Sequence, residues 1–390
     1  MKTSTYFYVI FALTILTGCK QAYTPPSGAV TTNYLVVFGF LNSGADSTIV
    51  TLKHTYSLAA ASAAEAENNA QVSVENDAGA VTKLSEYGNG RYGLTGLSLD
   101  NNRNYRVRII TSGGKTYLSA FTAVKIAPPI DSLEWNKSDT GVSIFVNTHD
   151  PQNNTRYYMW DYIETWEFHS FYQSYVHLDS AADTIIVYQD LIPVPHVCWQ
   201  SDYSSNILIA SSAKLSSDII SKQAIAIIPV NSEKIAARYS ILVRQYALTK
   251  DAFNYWQALQ KSTEQTGTLF DQLPSSITGN VQCITNPGET VLGYVSAGSI
   301  TTKRIFIDST QVQPWEYYQP CGTKYHVRDS LTYYLHNSQI PIGIVYGKVD
   351  TIKLTLRDTI FRNIDGYIFT DSYCADCTVK HGDTLKPSYW

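Results

Sequence analysis

The sequence feature that most constrains the fold is an aromatic segment, RYYMWDYIETWEFHSFYQSYV, at residues 156–176. Its large side chains recur with a period of two, which predicts a β-strand because successive side chains of a strand point to opposite faces. One face combines Tyr158, Trp160, Tyr162, Glu164, Trp166 and Phe168. Such a face either belongs to a sandwich core or stacks on a ligand, and the normal aromatic enrichment of strands favours the core.

The same segment supplies five candidate contacts for a ligand or a partner. If the aromatic face is exposed, Trp160 and Trp166 are placed to stack on sugar rings or peptide side chains. Phe171, Tyr172 and Tyr175 lie past the regular alternation, where a loop is expected. Binding residues are commonly found on loops, so these three are the better candidates for exposed contacts.

Most of the remaining chain consists of short β-rich runs separated by turn residues, which predicts a mainly β fold. About seven runs fall within residues 34–127, and Tyr105 resembles the tyrosine corner of immunoglobulin-like sandwiches. We therefore expect an immunoglobulin-like β-sandwich there. Ala127-Pro128-Pro129 marks a boundary, because proline lacks an amide donor and restricts the residue before it. Residues 130–390 are expected to form a larger, mainly antiparallel β domain.

The stretch at residues 239–307 departs from this pattern and predicts a strand, a helix, an ordered loop and two further strands. Thr249 suits an N-cap and Asp251 the first helical turn, so one conspicuous helix is expected over about residues 249–266. Phe253, Tyr255 and Trp256 offer a ligand-stacking shelf. Apolar residues at helical spacing nevertheless favour packing against a sheet.

The N-terminal residues predict export and lipid attachment. Lys2 precedes an apolar run at residues 6–16, which is too short to span a bilayer and is typical of a signal peptide. Leu16-Thr17-Gly18-Cys19 follows and resembles a bacterial lipobox, in which the cysteine thiol receives a diacylglycerol. We expect a signal peptide at residues 1–18 and a tether at 19–33, anchored through palmitate or similar acyl chains on Cys19. The alternative is an ordinary signal peptide with a chance cysteine.

Five further cysteines remain. They are Cys198, Cys283, Cys321, Cys374 and Cys377. An exported protein meets an oxidising compartment, so we expect disulfides, and the odd number leaves at least one thiol. The Cys-x-x-Cys pair with Cys321 and His381 also has the ligand types of a zinc site, but the compartment favours disulfides.

The motifs of common enzymes are absent from the sequence. It contains no Gly-x-Ser-x-Gly, no His-Glu-x-x-His, no P-loop and no dinucleotide fingerprint. With 29 basic and 33 acidic residues the net charge is −4, which leaves no basic field for nucleic acid. We therefore expect a non-enzymatic protein with no cofactor, no metal and no nucleic-acid partner. A pair of carboxylates brought together from distant strands, as in glycosidases, stays open.

A series of short segments resembles one protein family in its order and spacing. The segments are Leu35-Val36-Val37, Ile130-Asp131-Ser132, Arg156-Tyr157-Tyr158-Met159-Trp160, Glu164-Thr165-Trp166-Glu167, Cys198-Trp199, Arg238-Tyr239-Ser240, Gly279-Asn280-Val281-Gln282-Cys283, Lys303-Arg304-Ile305-Phe306 and a Cys-x-x-Cys tail ending in Lys386-Pro387-Ser388-Tyr389-Trp390. Together they resemble the outer-membrane lipoproteins of Bacteroidota grouped as domain of unknown function 4249. The resemblance covers nearly all of the chain after the signal peptide.

The resemblance implies a lipid-anchored accessory of a TonB-dependent outer-membrane transporter, acting by substrate binding or by docking. It carries over no catalytic residue. Lys20-Gln21-Ala22-Tyr23 lacks the acidic residues of many surface-exported lipoproteins of that phylum, so the periplasmic and cell-surface faces both stay open. A structural or adhesive surface protein is the second hypothesis, and a hydrolase without a recognisable motif is the third.

The same resemblance suggests a pairing of the cysteines. Cys198 and Cys283 both lie in segments that carry the resemblance, and Cys321 is closest in sequence to the C-terminal pair. We therefore expect Cys198 to pair with Cys283, and Cys321 to pair with Cys374 or Cys377.

Aspartate is unusually often followed by a hydroxyl residue. Of 22 Asp, 11 precede Ser or Thr, and nine of these continue with an apolar residue or Thr, which resembles an O-glycosylation signal of Bacteroidota. The local alternative is turn chemistry, in which Asp caps a turn and a β-branched residue starts a strand. We expect glycans at a minority, with Ser47, Ser180 and Ser309 as the candidates in polar loops.

Overall fold

The computed structural model describes residues 33–55, 65–174, 176–179, 184–187, 195–264, 277, 279–322, 324–327, 342–349 and 364–390. These residues form a mainly β fold with one long helix, which confirms the predicted class. None of the helices in the described ranges combines the length and the apolar composition needed to cross a bilayer.

The strands, in chain order, are β1 (Leu35–Asn42), β2 (Ser47–His54), β3 (Gln71–Asn76), β4 (Val81–Lys83), β5 (Ser85–Gly88), β6 (Arg91–Thr95), β7 (Asn104–Ile110), β8 (Thr116–Ser119), β9 (Thr122–Lys125), β10 (Ile130–Ser138), β11 (Gly141–His149), β12 (Tyr157–His169), β13 (Val176–Asp179), β14 (Thr184–Val187), β15 (Val197–Tyr203), β16 (Leu208–Ser211), β17 (Ile219–Pro229), β18 (Arg238–Ala247), β19 (Val281–Cys283), β20 (Val291–Gly298), β21 (Ile300–Asp308), β22 (Lys324–Val327), β23 (Ile342–Val349) and β24 (Ile364–Asp371). The helices are α1 (Lys250–Glu264) and α2 (Ser372–Ala375), with short 3-10 helices at Glu233–Ile235, Ser309–Val312 and Cys377–Lys380.

The first sheet curls around one core. Its main path runs β19-β8-β7-β9-β20-β1-β2-β6-β5, and β3 joins it through β7 and carries β4 on its other side. Val37, Val50, Val107 and Val295 are fully buried in its core. At the start of β7, the Tyr105 hydroxyl accepts a hydrogen bond from the Asp100 amide at 2.8 Å, as a tyrosine corner would predict.

Two strands of this sheet come from a distant part of the chain. β20 lies parallel between β1 and β9, and β19 lies antiparallel to β8. Gly293 permits the close approach of β20, because a Cβ there would lie 1.9 Å from the Val37 carbonyl oxygen. The predicted division into residues 34–127 and 130–390 therefore needs correction, since the first sheet also takes strands from 281–298. The expected immunoglobulin-like sandwich is not confirmed.

Two other sheets enclose a second core. One runs β10-β11-β17 and the other β15-β12-β18-β21, with β16 also pairing β12. The aromatic face of β12 points into this core, where Trp160 is 1% and Trp166 is 6% exposed. The Trp160 indole donates a hydrogen bond to the Gln245 side-chain oxygen at 2.9 Å. The prediction that this face is a core strand is confirmed.

The strand β18, the helix α1 and the later strands β20 and β21 match the prediction, whereas β19 was not predicted and most of the predicted ordered loop lies outside the described residues. α1 begins after Thr249, whose hydroxyl oxygen accepts a hydrogen bond from the Ala252 amide at 3.2 Å, and it ends at Glu264. β18 and β21 pair with each other in the second part of the molecule, which consists of the two sheets around the second core. β19 and β20, in contrast, belong to the first sheet. This stretch therefore joins the two parts.

α1 packs between those two parts. Phe253 is 8% and Tyr255 is 7% exposed, so the helix packs on the sheets, as its spacing predicted. Phe253, Tyr255 and Trp256 do not form one exposed stacking shelf, although Tyr255 lines a cleft at the edge of this core. The third core contains α1 residues together with Phe40 of β1, Tyr246 of β18 and Tyr294 of β20. One helix thus buries side chains from both parts of the fold.

Four cysteines form the disulfides Cys198–Cys377 and Cys321–Cys374, and Cys283 is a buried free thiol. The predicted pairing of Cys198 with Cys283 is wrong, because β15 carries the first in the second part and β19 carries the second in the first sheet. The pairing of Cys321 with Cys374 and the leftover thiol are confirmed. Both cysteines of the Cys-x-x-Cys pair are bonded, so they do not supply the thiolates that a zinc site would use.

Candidate functional site

A cleft of about 610 Å³ lies where α1 meets the first sheet. Its volume is in the range typical of small-molecule sites and exceeds that of two other clefts, of about 410 and 430 Å³. The walls are the first turns of α1, the turn between β8 and β9, the residues before β19, and β20. The lining residues are Ala120, Phe121, Thr122, Ala123, Thr249, Asp251, Asn254, Tyr255, Ala258, Ile277, Gly279, Asn280 and Tyr294.

α1 presents one stripe of residues to this cleft. Asp251, Asn254, Tyr255 and Ala258 are spaced i, i+3, i+4 and i+7, which places them on one helical face. An adjacent face of the helix, including Phe253, is held in the third core, so packing fixes the orientation of the stripe. Because Ala258 is small, the helix leaves space between itself and the first sheet.

Two tyrosines contribute to the lining, Tyr255 from the stripe and Tyr294 from β20. The rings of Tyr255 and Tyr294 lie 5.1 Å apart at an angle of 35°. Burial raises the pKa of Tyr255 to about 12, although a hydrogen bond to the Gly293 backbone lowers it in part. Burial likewise raises the pKa of Tyr294, against a lowering by its hydrogen bond to Thr249. Both phenols are therefore neutral at physiological pH.

On the side of the first sheet, the cleft is lined by the exposed ring of Phe121, which contacts a cation that is itself paired with a carboxylate. Phe121 is 44% exposed, and the Arg106 guanidinium lies 4.5 Å from its ring centroid. Arg106 also donates a hydrogen bond from Nε to Glu75 at 2.8 Å, and its terminal nitrogen lies 2.7 Å from the same carboxylate. The Arg106 guanidinium is thus already paired with a carboxylate, which Arg108 also contacts at 3.7 Å.

Two polar side chains of the stripe are free to bind. Asp251 and Asn254 are exposed, and neither side chain makes a hydrogen bond or an ion pair with another described residue. A carboxylate accepts hydrogen bonds, and an amide both donates and accepts them. Across the described ranges, no three His, Cys, Asp or Glu residues are grouped so that they could hold a metal ion.

The cleft of about 430 Å³ lies at the other end of the first sheet, and four of its charged or titratable side chains form two pairs. His54 Nε2 lies 2.9 Å from Glu67, and Lys115 lies 2.6 Å from Glu289. Tyr117 donates a hydrogen bond to Glu289 at 2.6 Å. Burial raises the pKa of Glu289. The hydrogen bonds from Lys115 and Tyr117 lower this pKa by a larger combined amount, so the net shift is downward.

Two buried carboxylates in the second part of the molecule are satisfied internally. Glu164 pairs with Lys234 and accepts a hydrogen bond from the Tyr239 hydroxyl at 3.1 Å. Asp218 accepts hydrogen bonds from the hydroxyls of Tyr158 and Ser212. Buried charged groups need such partners, so these contacts explain how the two carboxylates are tolerated in the core.

The predicted contact residues do not gather at the cleft. Trp160 and Trp166 are buried in the second core, so their prediction as contacts is wrong. Phe171 is 53% exposed, and Tyr172 beside it is half-buried, with ring centroids 4.7 Å apart. Tyr175 lies outside the described residues.

The modification candidates fall in different parts of the chain. Ser47 is exposed at the start of β2, and its hydroxyl lies 2.8 Å from that of Thr95. Ser309 is half-buried in a 3-10 helix. Cys19 and Ser180 lie outside the described residues.

Sequence reasoning missed the cleft although part of its signal was present. The free polar stripe of α1 can be recognised from the spacing of Asp251, Asn254 and Ala258 next to the apolar face. Phe121 and Tyr294 could not be predicted as lining residues, because only the insertion of β20 beside β9 brings the β8–β9 turn and β20 together at the helix.

Comparison with known families gives one informative match. The family model described as Domain of unknown function (DUF4249) matches residues 21–304, which is more than half of the chain. No curated protein matches the sequence.

Proposed function

We propose that this chain, which belongs to the family described as Domain of unknown function (DUF4249), is a non-enzymatic accessory lipoprotein of the outer membrane. In this proposal Cys19 carries the lipid anchor. The folded β body binds a substrate or docks on a TonB-dependent transporter.

The observation that carries the proposal is the position of Cys19 directly after an apolar run and Leu16-Thr17-Gly18. The disulfides Cys198–Cys377 and Cys321–Cys374 support an oxidising compartment, since such bonds persist mainly outside the cytoplasm. The cleft beside α1 supports a binding role, because its free carboxylate and amide are available to a ligand.

The anchor is tested by comparing wild-type protein with Cys19→Ala in the native host, using radiolabelled palmitate and membrane fractionation. The wild type should be labelled and found in the outer membrane, because two or more acyl chains give stable anchoring. Cys19→Ala should be unlabelled and either soluble or uncleaved. Mature Cys19→Ala that is still acylated in the outer membrane contradicts the anchor.

We also propose O-linked glycans at a minority of the Asp-Ser and Asp-Thr positions. The exposure of Ser47 in an Asp-Ser-Thr sequence supports it as the first of these sites. Intact-mass measurement of protein from its own host should show sugar increments, and Ser47→Ala should remove one of them. A mass equal to the acylated polypeptide alone refutes the glycans and leaves turn chemistry as the explanation.

A further inference from the structure

The cleft beside α1 contains one acidic side chain that has no hydrogen-bond or ion-pair partner among the described residues. Asp251 stands in the first turn of α1, where a carboxylate interacts favourably with the helix dipole. That interaction alone does not require the side chain of Asp251 to face a cavity. Asp251 nevertheless lines the cleft, one helical turn from the free amide of Asn254, so a bound molecule meets both groups.

The sign of the charge around the cleft limits what can bind there. Within the described ranges no Lys, Arg or His lines it, and Arg106 behind Phe121 is already paired with Glu75. An anion would therefore lie near the carboxylate of Asp251 without a cation to offset the repulsion. Like charges a few ångströms apart repel each other even in water. A positive charge experiences the opposite effect.

The rings add a second attraction of the same sign. Aromatic faces attract a cation within about 6 Å of the ring centroid. Phe121, Tyr255 and Tyr294 are among the residues that line the cleft, and both tyrosines are neutral phenols. Ala258 and Ile277 add apolar surface, which suits a short hydrocarbon stem better than a fully hydrated ion.

We propose that this cleft binds a small solute bearing a primary ammonium or guanidinium group on an apolar stem. The cation lies beside Asp251, Asn254 accepts a hydrogen bond from it, and the stem contacts the rings. This assignment rests on the proposed binding role and names its ligand class. It is independent of the anchor and of docking, which are measured in membranes without ligand.

The test is a ligand-observed NMR titration of the full-length protein in mild detergent. The probes are Nα-acetyl-lysine amide and Nα-acetyl-arginine amide, with the neutral norleucine and citrulline analogues as controls. The cationic probes should bind and the neutral ones should bind more weakly. Asp251→Asn keeps the shape but removes the charge, and should weaken cation binding roughly three- to fivefold. Asn254→Asp should strengthen it about twofold.

Glu316→Gln changes the net charge equally at an exposed position outside the cleft lining, and should leave the affinity unchanged. Circular dichroism checks that α1 persists in each variant. Equal binding of charged and neutral probes, or equal affinity in Asp251→Asn, overturns the proposal and assigns the cleft to a neutral polar ligand. Absence of binding at probe concentrations on the order of 5 mM also overturns it. A lysine-containing tripeptide with blocked ends, if it binds more tightly than the single residue, indicates a peptide source for the cation.

Discussion

Phe40 of β1 meets Tyr246 of β18 edge to face, with ring centroids 4.9 Å apart and an angle of 77° between the planes. The two rings belong to different sheets, and α1 packs in the same core. Tyr246 also donates a hydrogen bond from its hydroxyl to Asp161 at 2.9 Å. This contact therefore links the first sheet to the second part of the fold.

We predict that Phe40 and Tyr246 are energetically coupled. In a double-mutant cycle with Phe40→Ala and Tyr246→Ala, urea unfolding should give an interaction energy of about 0.5–1.5 kcal/mol. Tyr246→Ala alone should cost about 3–5 kcal/mol, because the ring is 5% exposed. Tyr87→Ala, at an exposed position on β5, should be additive with Tyr246→Ala. Additivity of the Phe40 pair would show that the two parts are held together elsewhere.

The first sheet should not form from residues 34–127 alone. Without β20, the facing edges of β1 and β9 lose their partner, and the core loses Val295, which is fully buried. A fragment of residues 34–127 should show no cooperative unfolding transition, whereas the same fragment joined to residues 279–298 by a long flexible linker should recover one. Cooperative unfolding of the shorter fragment would restore the predicted division of the chain.

Local signals explain why some of this arrangement could be predicted and some could not. The N-cap Thr249, the charge of Asp251 and the apolar spacing of α1 act within a few residues, so the sequence is sufficient to place the helix. The parallel insertion of β20 between β1 and β9 depends on contacts across more than 160 positions, which no local pattern encodes. The cleft could not be predicted for the same reason, because Tyr294 and Phe121 come together only when β20 lies between β1 and β9.

The disulfide pairing also depends on contacts between distant residues, and the two bonds give a separate prediction. Cys198 and Cys377 are 179 residues apart, and Cys321 and Cys374 are 53 apart. Replacing both members of either pair with Ser should lower the free energy of unfolding by about 2–5 kcal/mol, with the larger loss expected for the longer loop. Cys283→Ala should leave both bonds intact in non-reducing peptide mapping. A bond to Cys283 in the wild type would contradict the fold.

A histidine beside Ser170 should make the stability pH-dependent. Burial lowers the pKa of His196, and the nearby His169 lowers it further. Its Nδ1 lies 2.8 Å from the Ser170 hydroxyl. The unfolded chain, with a histidine pKa of about 6.5, takes up a proton before the folded protein does. Stability should therefore fall as the pH drops below that value.

The check on His196 is chemical denaturation of wild-type protein and His196→Asn at about pH 7.5 and about pH 5.5. Asn keeps a polar group near the position of Nδ1 but does not titrate. The wild type should lose more stability between the two pH values than the variant does. Equal losses would assign the acid sensitivity to other groups.

The most direct measurement for the accessory role is affinity purification of the tagged, acylated protein from gently solubilised outer membranes of its own host. Quantitative mass spectrometry compares its partners with those of an unrelated outer-membrane lipoprotein carrying the same tag. We predict enrichment of a TonB-dependent transporter with this protein and not with the control. If no transporter is enriched above the control, the accessory role is contradicted.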